Sequence, residues 1–260
     1  MNTSPAEMVR KAAEAAAPGF DPRHVESLLG SAPASAAAYL QAHAKRGEPV
    51  AQTLLAQLYL DGRGLSRSAE EARYWFARAA HEGQPMAMNM LGRCHENGWG
   101  GPVDNLLAAI WFKRAAEAGL DWGLYNYAHC LAHGRGVPRD PPAALATFAR
   151  AVELGHGRAM HFLGQYYEHG WVVPMDRARA FDLYRRAAAT GDYRGLSSWA
   201  SVLVEQGRPE EALPLLQKAL DQAPKAYRAE LLRQLQSSGE PRLQALARQT
   251  VSGTEHLARR

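Results

Sequence analysis

The side chains best suited to chemistry in this sequence are its histidines and cysteines, ten and two among 260 residues. His129 and His133 stand four apart, so a helix would carry both imidazoles on one face, at the spacing of a metal-ligand pair. Cys94-His95 and Cys130 occupy equivalent places 36 residues apart and could approach one another. Each feature also has a plainer reading. The cysteines belong to a column that continues Leu58, Tyr166 and Val202, which is an apolar core column, and a buried free cysteine behaves as a small hydrophobe. His95-Glu96 is followed by Asn97, Gly98 and Trp99, so the second histidine of a zinc-protease motif is missing. The Gly-x-Gly pieces at 62–64 and 134–136 do not follow a strand, and nothing else suggests a phosphate cradle. The expectation is a chain with no catalytic residues, no metal and no cofactor, hence not an enzyme.

What positions these residues is a repeat. Glycines recur at Gly47, Gly83, Gly119, Gly155 and Gly191, spaced by 36, and a second set follows at Gly62, Gly98, Gly134 and Gly170. A third column holds Ser68, Asp104, Asp140 and Asp176; a fourth holds Ala72, Ala108, Ala144 and Ala180. Periods of this length signal stacked helix pairs. In the second copy, Ala87, Leu91 and Cys94 mark the apolar face of a first helix. Gly98 and Gly100 then permit a turn. Asp104 caps a second helix bearing Ala108, Trp111, Phe112, Ala115 and Ala116. Small residues at Ala51, Ala87, Gly123, Ala159 and Gly195 let the helices approach closely, and one pair alone cannot bury its apolar face, so the pairs must stack. On this reasoning Ala115→Leu should destabilise by ~1–3 kcal/mol through overpacking.

Segments such as AMNMLGRCHENGWGGPVDNLLAAIWFKRAAEAG and AMHFLGQYYEHGWVVPMDRARAFDLYRRAAATG resemble the Sel1-like repeat, a relative of the tetratricopeptide repeat. The resemblance implies an all-α fold, a right-handed α/α superhelical solenoid that binds proteins. Four 36-residue copies are expected over 47–190, N-terminal capping helices over 1–46, a degenerate tetratricopeptide-like repeat over 191–224, and basic C-terminal capping helices and tail over 225–260. The first of the N-terminal helices should start at Ser4-Pro5 and stop before Pro18-Gly19, and the next should start at Asp21-Pro22. Two copies depart from the pattern. The fourth has Val172 where a loop glycine is expected, which predicts slightly altered loop geometry. The third has Asn126-Tyr127-Ala128 in place of Leu-Gly, which predicts a locally different concave face.

The first helices of a curved stack line its concave side. Their variable positions supply the candidate partner-binding residues Met86, Asn89, Arg93, Trp122, Tyr125, Asn126, His129, Arg158, His161 and Gln165. These are aromatic, amide and arginine side chains, the types that dominate binding hot spots and hold peptide carboxylates. Met90 and Phe162 are expected to pack against neighbouring repeats. Removing the Trp122 and Tyr125 rings should weaken partner binding and leave folding nearly unchanged.

Bulk properties agree with a scaffold. Hydrophobic residues make up 47% and charged residues 22%, a folded composition. The net charge of +4 sits in 225–260, where seven basic residues face three acids; this reads as a solvated helix face, so no nucleic acid is expected. No apolar run could span a membrane. The N-terminus lacks a signal-peptide pattern and cysteines are few, which points to a cytoplasmic protein, and the Ala-, Arg- and Gly-rich composition points to a bacterium. The expected function is a non-catalytic scaffold or adaptor for a protein or peptide partner, the chain being a monomer or homodimer. The alternatives are an immunity or inhibitor protein that plugs a toxin, or an accessory or regulatory subunit of an enzyme, metal-dependent or otherwise.

Overall fold

The computed structural model describes residues 20–258; the helix expected between Ser4 and Pro18 lies outside them. The described residues form fourteen helices and no strand. The chain divides into two compact units at Ala144/Leu145. The first contains α1 (Pro22–Ser31), α2 (Pro33–Lys45), α3 (Pro49–Asp61), α4 (Ala69–His81), α5 (Pro85–Asn97), α6 (Asn105–Glu117) and α7 (Asp121–His133). Helix α8 (Pro141–Glu153) spans the division. The second contains α9 (Gly157–His169), α10 (Arg177–Ala189), α11 (Tyr193–Glu205), α12 (Pro209–Gln222), α13 (Lys225–Gln236) and α14 (Pro241–Ala258). None of the described helices is long and apolar enough to cross a membrane.

The capping column does what its residue types dictate. Ser68 Oγ accepts from Glu71 N at 3.2 Å, and Asp104, Asp140 and Asp176 accept from the amide three residues on at 2.9, 3.0 and 2.9 Å. Asp21 caps α1 in the expected place, accepting from Arg23 N at 2.9 Å. At the other end of each first helix, Gly62, Gly98, Gly134 and Gly170 take left-handed backbone and close the C-terminus.

The second loop glycine has a stricter role. A Cβ on Gly136 would lie 1.9 Å from Asn105 O, at the start of the preceding second helix; on Gly64 and Gly100 it would lie 2.1 Å from Pro33 O and 2.3 Å from Ala69 O. In the first unit each loop therefore seats its backbone directly on the helix start of the repeat before it. Val172 occupies this position in the fourth loop. The loop geometry is not altered there: Val172 takes φ 69°, close to the 71° of Gly136. A β-branched residue is forced into a left-handed conformation that costs it energy.

Within the first unit the core runs from Phe20 and Val25 through Leu40, Leu55, Phe76 and Leu91 to Trp111. Close approach needs the small residues: a Cβ on Gly123 would sit 2.6 Å from the Ala115 carbonyl carbon, and Ala115 is fully buried. In the second unit, Tyr193, Leu196, Leu203, Leu216, Leu220, Leu231, Leu235 and Leu246 pack α11 to α14 into one core. The last two helices thus continue the packing, and α14 extends to Ala258, beyond the 241–251 span that the sequence suggests.

Candidate functional site

In the first unit the variable first-helix positions fall into two groups. Met86, Asn89 and Tyr125 are buried, with 6%, 2% and 1% of their surfaces exposed. Arg93, Trp122, Asn126 and His129 are half-buried. The expectation that Tyr125 is a dispensable surface contact is therefore corrected: its ring is interior. Trp122 meets it edge-on at 5.9 Å and His129 at 4.6 Å, and His133 stacks on His129 at 5.8 Å, which makes one ladder of rings along α7. Among the described residues no group of three or more His, Cys, Asp or Glu is arranged to hold a metal ion. Burial pushes the Cys94 thiol up to about 12 and the Cys130 thiol to about 11, so both are protonated and inert at neutral pH.

Asn126 Nδ2 donates to Asn89 Oδ1 at 2.7 Å and ties α7 to α5. Asn126 directly precedes Tyr127-Ala128, which stand where neighbouring copies have Leu-Gly. An open cleft between the first two repeats is lined by Gln57, Asp61, Arg67, Met90, Arg93 and Trp99. The Arg93 guanidinium sits 4.9 Å from the Trp99 ring centre, and Met90 is buried as expected.

In the second unit the equivalent face lies on α9 and α11, flanked by α13. Arg158 Nε donates to Asp192 Oδ2 at 2.8 Å, with both side chains largely buried. The other oxygen, Asp192 Oδ1, accepts from Arg194 N at 3.0 Å as the cap of α11. His161 is 8% exposed, so it too is interior rather than a surface contact. Its Nδ1 lies 2.9 Å from Ser198 Oγ. Burial, reinforced by the nearby Arg194 charge, pushes the His161 imidazole down to about 4, so it is neutral at neutral pH. Ser197 Oγ and Tyr227 OH share a 2.6 Å hydrogen bond. Gln165 and Phe162 are half-buried on the same helix.

Arg194 is the residue that sequence reasoning missed. Its guanidinium lies 5.1 Å from the Tyr193 ring, 5.8 Å from Phe162 and 5.8 Å from Tyr227. The signal was available: Arg194 stands in the column of Val50, Met86, Trp122 and Arg158, at the fourth position of the fifth repeat. Tyr227 carried no such signal, because α13 lies outside the 36-residue register.

A model of the Sel1 repeat matches residues 49–84, 85–120, 123–156 and 157–192, more than half of the chain. No curated protein matches. Among solved structures, a Sel1 repeat protein from Oxalobacter formigenes superposes with TM-score 0.69 at 23% identity, covering 85% of this chain and 86% of that one. A protective antigen of uropathogenic Escherichia coli with a Sel1-like repeat fold gives 0.63 at 22% identity, over 94% of this chain and 52% of that one. An immunity protein from Pseudomonas aeruginosa gives 0.53 at 16% identity, over 85% and 84%. At these identities the likeness is one of fold.

Proposed function

The chain belongs to the Sel1 repeat family, and from that premise we propose that it is a non-catalytic scaffold that holds a protein or peptide partner on the faces of its first helices. Sel1 repeats generally mediate protein–protein interactions. The observation that carries the reading is the set of polar bonds between first helices of successive repeats: Asn126 to Asn89, Arg158 to Asp192, and Ser198 to His161. Such bonds fix half-buried aromatic and polar side chains before a partner arrives, which lowers the ordering cost of binding. Trp122, Phe162, Gln165 and Arg93 are held on these faces, half-buried.

A photoreactive residue placed at Gln165 should cross-link a partner in the cells that make the protein. The same residue at Lys113, an exposed position of the second helix α6, should not. Cross-linking from Lys113 alone would overturn the reading. A second reading, an inhibitor that plugs a toxin, is favoured by the fold shared with the Pseudomonas aeruginosa immunity protein. Such an inhibitor would form a long-lived one-to-one complex, whereas a scaffold for short peptides exchanges rapidly.

A further inference from the structure

We propose that Arg194 is the anion-recognition point of the second unit and takes a carboxylate of the bound partner. The proposal rests on the scaffold reading and names the chemistry of one of its contacts.

Arginine carries five N–H donors and no acceptor. The Arg194 guanidinium donates to none of the described residues, and its Nη1 is buried without a partner. It is half-buried among Tyr193, Phe162 and Tyr227, so the rings take the place of water over its faces. A cation in such a box gains from the ring quadrupoles, but its in-plane donors need acceptors. Asp192, two residues back in the chain, makes no ion pair with this guanidinium. Asp192 is already engaged through both oxygens, one by Arg158 Nε and one by the Arg194 backbone amide. Arg158 and Asp192 neutralise one another, and His161 is uncharged at neutral pH. The cluster is left with a single positive charge whose edge is unmatched.

Charge and shape select the ligand. One planar cation matches one planar carboxylate, two parallel N–H···O bonds on a monoanion. A phosphate dianion would leave a charge uncompensated. Burying the aromatic walls under a peptide would remove water from the ion pair and strengthen it.

The test uses the full chain with 15N-labelled arginine. The Nε–H resonance of Arg194, assigned by its absence from Arg194→Gln, is followed during four titrations. The probes are N-acetylglutamate α-amide, whose one carboxylate is that of the side chain, N-acetyl-dialanine as the free acid, the same dipeptide as its C-terminal amide, and inorganic phosphate. Both carboxylates should give a saturable shift and the amide none, and the tighter of the two tells a side-chain carboxylate from a C-terminal one. A resonance that moves with no probe, moves equally with the amide, or moves further with phosphate overturns the proposal. Arg194→Lys keeps the charge and loses the fork, so carboxylate binding, followed in both proteins by the backbone amide shifts of uniformly 15N-labelled samples, should weaken by roughly tenfold; unchanged affinity also overturns it. The cross-link at Gln165 separates the two readings. A partner captured equally by Arg194→Lys sinks the carboxylate contact and leaves the scaffold standing. No partner on the wild-type chain beside a successful titration sinks the scaffold and leaves the anion site.

Discussion

Ser198 stands to His161 as Asn126 stands to Asn89: in each pair the seventh residue of one repeat meets the eighth of the next, 37 positions on, through a side-chain hydrogen bond of 2.9 and 2.7 Å. The same register thus carries a neutral amide pair in one unit and an imidazole–hydroxyl pair in the other. Only the second can titrate.

That difference predicts a pH dependence of stability. His161 is held near 4, below the ordinary value of about 6.5, by burial and by Arg194, with Asp192 opposing and the Tyr184 ring of α10 packed alongside. The unfolded chain therefore binds a proton that the folded one refuses. Stability from this group is complete above about pH 6.5 and falls as pH drops toward 4, by a few kcal/mol in total. Urea unfolding between pH 4.5 and 7 should show this slope, and His161→Asn should flatten it. Equal slopes in the two proteins would mean that His161 titrates normally.

Tyr125→Ala should cost about 3–5 kcal/mol, the usual range for emptying a buried aromatic site. Trp122→Ala should cost less, since that ring is half-buried. Chemical denaturation of the two single variants checks the order. The double variant is unsuited to mapping binding, because unfolding would mimic loss of contact.

The repeat was legible because its marker residues answer to local backbone demands: a glycine at positive φ, an aspartate that caps three residues on. Tyr125 was not, because a first helix in a stack is touched on several sides, and periodicity alone does not tell a flank packed on the next helix from one open to solvent. The bonds between Asn126 and Asn89 or Ser198 and His161 depend on the rotation of one helix against another, which single-helix patterns do not contain. Arg194 lay in a legible column, but the copy that carries it is degenerate and shorter than the four before it, and the Tyr227 that completes its box comes from a helix outside the repeat.

Two glycines with similar backbone should respond differently to alanine. Gly119 has φ 80° and open space around a would-be Cβ, so Gly119→Ala costs only left-handed strain, about 1–2 kcal/mol. Gly136 has φ 71° and would place its Cβ 1.9 Å from Asn105 O. Gly136→Ala must push the loop off the start of α6 and should cost several times more. Comparable melting losses would show that the loop seat yields easily.

Val172→Gly should stabilise the protein, against the general trend of large-to-small changes. Val172 holds φ 69°, strain of about 1–2 kcal/mol for a residue with a Cβ, and its side chain is 49% exposed, so little packing is lost with it. Glycine loses about 0.5–1 kcal/mol more backbone entropy on folding, which offsets part of the relief. The net gain should be about 1 kcal/mol, a rise in Tm of roughly 2–4 °C for a chain of this size. A variant that melts lower would mean that Val172 contributes contacts exceeding its strain, and the exposed Trp171-Val172 edge would then count as structure rather than as tolerated strain.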